Sequence, residues 1–292
     1  MKPRGLMFTL FGEYIQHYGG EIWIGSMIRL MSHFGLSESS CRGATLRMVQ
    51  QGFFQSRKIG NKSYYSLTNK GKRSMLDGVS RVYTTPSNNW DGFWRIYTYS
   101  VPEEMREVRN QLRKELMWLG FGPISNSVWA TPNPLEKQVM EMVNEHHLND
   151  YGILFTSSSF VSHDNQEIIN KGWDMKKIES KHLEFMNKYD EKYEKIKESA
   201  WHNSLTDEQC FIIRTEVVHE YRKFLFFDPN FPVDLLPKDW IGFKARELFF
   251  NIHQLIAIPA IRYFESNFEQ APDTNPVFDR NRAIDPFIGS IE

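Results

Sequence analysis

The hydrophobic pattern near the amino terminus changes from helical to strand spacing at Gly52, and this change restricts the folds open to the first 75 residues. Before Gly52, apolar residues recur every three or four positions in 6–18, in 26–34 and in 37–51. Gly35 lies between the last two stretches, where a glycine commonly ends a helix. The spacing therefore predicts three short helices.

Strand signals accompany these helices. Residues 21–24 form a short strand-like segment between the first two helices, and 53–59 and 62–67 flank the pair Gly60-Asn61. Two residues of this kind between strand-like segments are a strong β-hairpin signal. The order helix, strand, helix, helix, hairpin predicts a winged helix-turn-helix, in which the third helix enters the major groove of DNA and the hairpin follows the backbone.

The third predicted helix has one apolar and one polar side. Ser37 is placed to cap it. The residues of its buried stripe share helical spacing: Cys41, Ala44, Thr45, Met48 and Val49. The opposite side carries Ser39, Gly43 and Leu46, with Arg42 and Arg47 at its flanks. Gly43 is unusual because a glycine inside a helix costs about 1 kcal/mol relative to Ala. Its position suggests close approach by another molecule, and a duplex is one candidate.

The charge distribution favours a nucleic-acid partner. Residues 1–85 hold 12 Lys and Arg against four acidic residues, a net charge of +8, and the remaining residues hold 23 basic and 32 acidic side chains, a net charge of −9. A basic head on an acidic body is typical of nucleic-acid binding. The alternatives are a solvated basic face and a helix-turn-helix kept for protein contacts. The predicted DNA-binding residues are Ser37, Ser39, Arg42, Gly43, Leu46, Arg47, Arg57, Lys58, Asn61 and Lys62.

The middle of the chain alternates strands and helices. Strands are predicted at 93–100, 127–130 and 151–161, with helices at 101–119 and 135–147 between them. This order, with room for one more strand, predicts a ferredoxin-like domain. A Rossmann domain fits less well because no Gly-rich phosphate loop follows the first strand. A metal-dependent nuclease on such a fold needs a carboxylate at the end of that strand, which here ends in YTYS.

Signatures of catalysis and of metal binding are sparse. The sequence has no HExxH, Walker or GxSxG motif and no zinc-type Cys and His spacing. His146, His147 and Asp150 form a possible metal-binding group, but they fit better as polar residues at a helix end. We therefore predict no catalytic residue, no metal and no cofactor. Two cysteines make no disulfide framework, and no apolar run reaches 18 residues, so we expect a cytoplasmic protein without a membrane span.

Three blocks of sequence resemble the PaaX family of bacterial repressors of phenylacetate-degradation operons. The head carries LFGEYI, GGEIWI, GLSESSCRGATLRMVQQGFF and GNKSYYSLTNKG between residues 10 and 71. The middle carries LGFGPISNSVWATPNP at 119–134, and the last part carries FPVDLLPKDWIGFKARELF at 231–249. A winged helix alone is unspecific, whereas three blocks in family order across the chain are a specific resemblance.

The resemblance implies a dimeric repressor that an acyl-coenzyme A effector releases from its operator, phenylacetyl-CoA in the best-known members. It also implies a middle domain that resembles the small nuclease subunit of CRISPR adaptation in fold but not in activity. The family includes regulators of other aromatic pathways, so the effector stays open. Gly43, Thr45 and Leu46 stand where Thr, Leu and Ser would be expected in the recognition helix, so the operator sequence stays open as well.

An acyl-CoA effector requires cations for its phosphates and an apolar or aromatic slot for its acyl group. The segment 214–246 offers both types of side chain, and Arg suits phosphate particularly well. The predicted effector-binding residues are Arg214, His219, Arg222, Trp240, Lys244 and Arg246. The alternatives are that Trp240 anchors a loop on a core and that Lys244 and Arg246 lie on a solvated helix face.

The predicted fold class is α+β, in three domains: a winged helix-turn-helix at 1–84, a ferredoxin-like candidate dimerisation domain at 85–166 and a mostly helical candidate effector-binding domain at 167–292. We expect the tail after Asn267 to be poorly ordered. The expected partners are double-stranded operator DNA, an aryl-acyl-CoA and a second copy of the chain, joined through 94–116 or through 178–196. The rival functions are a winged-helix regulator of an unrelated pathway without a CoA ligand and a metal-dependent nuclease on the middle domain.

Overall fold

The computed structural model describes residues 1–84, 89–202, 204–274 and 278–287. They form two compact units. The first unit contains 1–84, 185–222 and 246–287, and the second contains 89–184 and 223–245, in each case as far as these residues are described. Residues of the predicted C-terminal segment, 167–292, therefore belong to both units.

The first unit is mainly helical with one small sheet. Its amino-terminal elements follow the predicted order: α1 (Pro3–Glu13), β1 (Glu21–Trp23), α2 (Ile24–Ser32), α3 (Glu38–Gln50), β2 (Phe54–Ile59), β3 (Lys62–Leu67) and α4 (Asn69–Tyr83). A 3₁₀ helix, Ile15–Tyr18, follows α1, so the first predicted helix is shorter than its apolar pattern. The unit also contains α9 (Asp207–Tyr221), α11 (Ala257–Asn267) and α12 (Arg280–Ile284).

The sheet of the first unit holds the hairpin. β3 lies in the middle and pairs antiparallel with β1 and with β2, and Ile59 faces Lys62 across the turn. Gly60 has a φ of +58°. A positive φ at the first of two turn residues is characteristic of a type II′ turn, and glycine adopts it without strain. The predicted Gly60-Asn61 turn is thus present in the structure.

A buried ionic network lies in the core of the first unit. Glu13 of α1 pairs with Arg214 of α9 at 2.5 Å and with His253 Nε2 at 2.8 Å, and it accepts a hydrogen bond from the Tyr83 hydroxyl. The side chains of Glu13, Arg214 and His253 have no solvent exposure. The Arg214 guanidinium also donates to the carbonyl oxygens of Ala257 and Ala283. The network therefore joins α1 and α4 to the carboxyl-terminal helices.

The second unit is built on a four-stranded antiparallel sheet. Its elements in chain order are β4 (Trp94–Tyr99), α5 (Arg106–Leu119), β5 (Gly122–Pro123), β6 (Val128–Thr131), α6 (Glu136–Glu145), β7 (Gly152–Ser157) and α7 (Asn165–Gly172). The strand order is β5-β6-β4-β7. β5 is the additional strand for which the sequence left room. Because β4 pairs on both sides, its backbone has no free edge for a second copy.

Both faces of this sheet are covered. On one face, Tyr97 and Trp129 pack with Leu112 and Leu116 of α5 and with Val139 of α6. On the other face, large apolar side chains of β4 pack with residues that follow the sheet in the chain: Trp94, Ile96, Ile168, Ile169, Trp173 and Phe231. In the second unit, the sheet therefore lies between helices on both of its faces, which is an α/β/α arrangement.

Two long helices contribute residues to both units, α8 (Met175–Trp201) and α10 (Ile241–Leu255). The α+β fold class predicted from the sequence is confirmed by the helices and the two antiparallel sheets. In the tail, Glu269 contacts other parts of the first unit: it pairs with Lys62, and its backbone N–H donates to the Ser26 hydroxyl. None of the helices in the described residues combines the length and the hydropathy that a membrane-spanning helix requires.

Candidate nucleic-acid interface

The amino-terminal end of α3 is fixed by a local cap. The Ser37 Oγ accepts a hydrogen bond from the Ser40 backbone N–H at 3.2 Å, as the sequence predicted. Cys41, Ala44 and Met48 are buried against the rest of the unit, together with Thr45. Val49, the remaining residue of the predicted buried stripe, is only half-buried. This packing fixes which side of α3 is presented to solvent.

The solvent side of α3 carries the predicted base-reading residues. Ser39, Arg42 and Arg47 are exposed, and Leu46 is 58% exposed. Arg42 donates to Glu38 at 2.7 Å, but both side chains are more than half exposed, so the pair adds little stability and leaves the guanidinium accessible. The face combines hydroxyl, guanidinium and apolar groups, which are the types that bind phosphates, guanine and the thymine methyl group.

Gly43 lies in the middle of this face without an intramolecular need for glycine. A Cβ built at Gly43 meets only the Arg47 guanidinium, at an ordinary contact distance of 3.5 Å. We expect Gly43→Ala to raise the free energy of unfolding by up to about 1 kcal/mol, since alanine is the better helix former. If a duplex approaches the backbone here, the same variant loses operator affinity. Urea denaturation and gel-shift titration measure the two quantities, and a gain in both would contradict close approach at Gly43.

The hairpin carries the predicted phosphate-binding residues, but two of its three cations already have partners. Arg57 pairs with Glu21 of β1 and with Asp273, and Lys62 pairs with Glu269. Lys58 and Asn61 are exposed. Lys58 has no ion pair within the described residues.

The acidic partners Glu269 and Asp273 were not identified from the sequence. They lie more than 200 positions from the hairpin. The acidic character of their segment was the only feature of the sequence that pointed to these contacts with the hairpin.

The predicted effector-binding residues of the first unit have structural contacts. Arg214 is fully buried in the Glu13 network, so a phosphate would have to displace Glu13 or a backbone carbonyl. His219 Nδ1 lies 2.9 Å from the Thr9 hydroxyl, and Arg222 donates to the Gly5 carbonyl at 2.6 Å. Burial lowers the pKa of Arg222 to about 10. The contacts of His219 and Arg222 are with residues of α1. Effector binding by Arg214, His219 and Arg222 stays a prediction.

Arg246 belongs to the first unit as well, and its guanidinium donates to the Tyr83 carbonyl at 3.0 Å. Trp240 and Lys244 belong to the second unit. The structure therefore brings Arg214, His219, Arg222 and Arg246 into one unit, and Trp240 and Lys244 into the other.

An aromatic cluster surrounds Trp240 in the second unit. The His182 imidazole stacks on Phe224 with ring centroids 4.2 Å apart, and Trp240 meets its edge at 6.0 Å. His182 Nε2 lies 2.8 Å from an Asp228 carboxylate oxygen, and its Nδ1 is buried with no hydrogen-bond partner among the described residues. The sequence argument paired Trp240 with His219, whereas the imidazole beside Trp240 is that of His182. Helical spacing in α8 gave no sign of this contact.

Groups suited to a metal ion are missing from the described residues: no three His, Cys, Asp or Glu side chains converge on one point. His146 is engaged with Glu115, at 3.0 Å from its carboxylate. Both cysteines, Cys41 and Cys210, are buried and free.

Comparison with known proteins adds the decisive observation. Three models of one family match successive parts of the chain: "PaaX-like protein" at 2–71, "PaaX protein central Cas2-like domain" at 87–169 and "PaaX-like protein C-terminal domain" at 173–266. The chain belongs to the PaaX family. The three matched segments include α3, the hairpin, the four-stranded sheet and the cluster around Trp240.

Individual proteins are similar to this PaaX family member at modest identity. The transcriptional repressor PaaX of Escherichia coli (strain K12) is 29% identical over 267 residues, which cover 90% of this chain and 83% of the relative. The solved structure of the uncharacterized protein Rv0674 from Mycobacterium tuberculosis is 20% identical, covers 82% of this chain and 90% of its own, and has a TM-score of 0.45.

Proposed function

We propose that this PaaX family protein is a DNA-binding transcriptional repressor of an aromatic-acid operon, that of phenylacetate catabolism, and that it acts in the cytoplasm. The observation that carries the proposal is the solvent face of α3: exposed Ser39, Arg42, Leu46 and Arg47 around Gly43, on a capped helix that precedes an antiparallel hairpin. The E. coli relative, named a transcriptional repressor, supports the same function.

The head, 1–84, acts in this proposal as a winged helix-turn-helix. α2 and α3 are its two helices and the β2–β3 hairpin is its wing. Ser37, Ser39, Arg42, Gly43, Leu46 and Arg47 face the major groove or its edge, and Arg57, Lys58, Asn61 and Lys62 contact the backbone of the duplex. An exposed polar face on a helix whose other face is buried suits insertion into a groove.

The second unit acts as a ferredoxin-like dimerisation domain. The order β4-α5-β5-β6-α6-β7 and the antiparallel strand order β5-β6-β4-β7 support that assignment. A dimer of helix-turn-helix heads binds two half-sites separated by whole helical turns. We therefore propose an operator that is an imperfect palindrome.

Selection of bound duplexes from a random-sequence library tests DNA recognition and does not require a known operator sequence. We expect enrichment of an imperfect palindrome with half-sites about 10 base pairs, or a multiple, apart. Absence of any enriched sequence, in a preparation that is folded by circular dichroism, would contradict the proposed function. Light scattering of the protein with and without the selected duplex measures the dimer.

The proposed effector is an aryl-acyl-CoA such as phenylacetyl-CoA, which releases the operator. The aromatic surroundings of Trp240 and the exposed Lys244 support an aryl thioester site in the second unit. An effector that releases DNA must bind the free protein more tightly than the DNA-bound protein. A ligand that binds the native state also raises the apparent thermal stability.

Thermal-shift and release experiments test the effector site. We expect phenylacetyl-CoA to raise the Tm of the parent more than phenylacetate or CoA alone, and Trp240→Ala to retain operator binding but lose release by the thioester. Trp201→Ala is the matched control because Trp201 is 86% exposed. If the thioester releases the operator from Trp240→Ala at the same concentration as from the parent, the effector site lies elsewhere. If the thioester does not change the Tm of the parent, the result favours a regulator without a CoA ligand.

A further inference from the structure

A carboxyl-terminal segment lies on the same sheet as the hairpin. This segment, residues 268–274, follows α11 and is named the strap. The Glu269 backbone N–H donates to the Ser26 Oγ of α2 at 3.1 Å, and the Phe268 ring packs 5.8 Å from that of Tyr18. A cleft of about 380 Å³ lies beside it, lined in part by Glu21, Phe268 and Thr274. All of these residues belong to the first unit.

The strap binds the hairpin through two ion pairs. The Glu269 carboxylate contacts Lys62 Nζ and accepts a hydrogen bond from the Tyr64 hydroxyl at 3.3 Å. The Asp273 carboxylate accepts two hydrogen bonds from the Arg57 guanidinium, at 2.5 and 2.9 Å. A hydrogen bond from Arg57 is the main reason that the pKa of Asp273 lies below its usual value. Asp273 is therefore ionised at neutral pH, and both acids are engaged by cations of the hairpin.

Arg57 and Lys62 lie on one face of the sheet. Arg57 is directly opposite Tyr64, and Lys62 is opposite Ile59, two residues further along β2. Side chains two residues apart on a strand point to the same face. Lys58, one residue from Arg57, points to the opposite face and is exposed. The strap thus engages the cations of one face of the hairpin, and Lys58 lies on the other.

A carboxylate and a phosphate accept hydrogen bonds from the same donors. The two-pronged contact of Arg57 with Asp273 has the geometry with which a guanidinium binds a phosphate. The same N–H groups cannot serve both anions at once. Since Glu21 also accepts from Arg57, a phosphate that takes the N–H groups facing the strap has to displace Asp273. At Lys62, Glu269 occupies one of the three N–H groups and competes with a phosphate for the ammonium.

We propose that the strap is an autoinhibitory contact, in which Glu269 and Asp273 compete with the phosphates of a DNA duplex for Lys62 and Arg57. The proposal rests on the proposed function, since it requires that the hairpin contacts DNA. The contact lowers the affinity for every duplex sequence, because it acts on backbone contacts and not on the base-reading face of α3.

The strength of the contact sets the size of the effect. The side chains of Arg57, Lys62, Glu269 and Asp273 are each 38–50% exposed. Ion pairs at this exposure change an equilibrium constant by about a fewfold each. A duplex presents many phosphates and displaces the strap, so the contact reduces affinity without abolishing binding.

The alternative to competition is that Glu269 and Asp273 order the hairpin, by holding it in its DNA-binding shape. The two roles predict changes of opposite sign on neutralisation of the acids. Competition predicts tighter binding, and ordering predicts weaker binding. The double variant Glu269→Gln/Asp273→Asn separates them while keeping the side-chain sizes.

The matched control is Glu198→Gln/Glu247→Gln, which removes two negative charges from exposed positions of the same unit, outside both candidate dimer interfaces. We expect the strap variant to bind both operator and random-sequence duplex about three- to tenfold more tightly than the control at low salt. Its slope of log affinity against log salt is expected to be steeper by about 1 to 2, since each phosphate contact contributes about 0.9. Affinity equal to or weaker than that of the control overturns the proposal.

Failure of the proposed function gives a different result, since then parent, control and strap variant all fail to bind any duplex. If the strap variant does not fold, hydrogen exchange of the parent decides. The Glu269 amide, bonded to Ser26, is expected to exchange faster in the operator complex than in the free protein. An unchanged or slower rate in the complex overturns displacement of the strap.

Discussion

Replacing Glu13 with Gln is expected to lower the free energy of unfolding by about 3–5 kcal/mol, the cost of leaving a buried charge without its partner. In the native protein the Arg214 guanidinium has no solvent exposure and its charge is balanced by Glu13 at 2.5 Å. The two carbonyl oxygens that also accept from Arg214 carry no net charge. The variant retains the shape of the side chain, so the loss measures the missing charge.

Urea denaturation at pH 7 measures this loss, with Glu191→Gln as the control because Glu191 is exposed. The control is expected to change stability by less than about 0.5 kcal/mol. The double variant Glu13→Gln/Arg214→Met is expected to recover much of the loss, since a buried ion pair and an apolar replacement of similar volume are often nearly equal in stability. A loss below about 1 kcal/mol in Glu13→Gln would contradict the buried pair.

The same residue gives the protein an acid-dependent stability. Burial acts to raise the pKa of Glu13, but attraction to Arg214 and His253, with hydrogen bonds from His253 and Tyr83, outweighs it and lowers the pKa from 4.5 to about 2. Because the folded pKa is depressed, this stabilisation is complete above pH 4.5 and is lost as the pH falls toward 2. A shift of this size corresponds to about 3 kcal/mol. Glu13→Gln is expected to lack that part of the pH dependence.

His253 contributes in a second pH range. Burial, followed by repulsion from Arg214, lowers its pKa below 6.5, so the folded state favours the neutral imidazole with its proton on Nε2, toward Glu13. Its Nδ1 has no hydrogen-bond partner in the described part of the chain, which is consistent with that tautomer. Its contribution to stability is present above pH 6.5 and falls as the pH decreases. Denaturation of His253→Gln and parent at about pH 7.5 and about pH 5.5 measures it, since the parent is expected to lose more stability between the two.

Arg42→Ala is expected to weaken operator binding by about 1–3 kcal/mol if Arg42 reads a base, and to relax the preference at one position of each half-site. Arg42 lies on the exposed side of α3, and its pair with Glu38 stabilises a helix by only about 0.3–0.5 kcal/mol. The variant therefore changes DNA binding with little effect on folding. If Arg42 contacts only phosphate, the loss is expected to be equal for all duplex sequences.

Gel-shift titration with the selected operator and with single-base variants of it measures the effect of Arg42→Ala. Arg262→Ala is the matched control, since Arg262 is 55% exposed, as Arg42 is, forms an ion pair with Asp207, and lies outside both candidate dimer interfaces. An operator affinity equal to that of the control would contradict both base reading and phosphate contact by Arg42. That result would leave the solvent face of α3 without its main cation and would count against the proposed orientation on DNA.

The local structure of the head followed from the sequence. Ser37 caps α3, Cys41 and Met48 lie on its buried side, and Gly60 turns the hairpin. Caps, turn residues and hydrophobic periods are properties of a few neighbouring residues, so they are legible without the rest of the chain. The same signals predicted the strands and helices of the second unit, including space for β5.

The contacts between distant charges were decided by the tertiary structure. Glu13 and Arg214 are 201 positions apart, and Arg57 and Asp273 are 216 positions apart. In the sequence, Arg214 and Arg57 were simply cations available for phosphates, one for an effector and one for DNA. Periodicity reports which side of an element is buried, but the partner of a charged side chain depends on the path of the whole chain. For that reason the sequence identified the cations, and only the fold showed which carboxylates bind them.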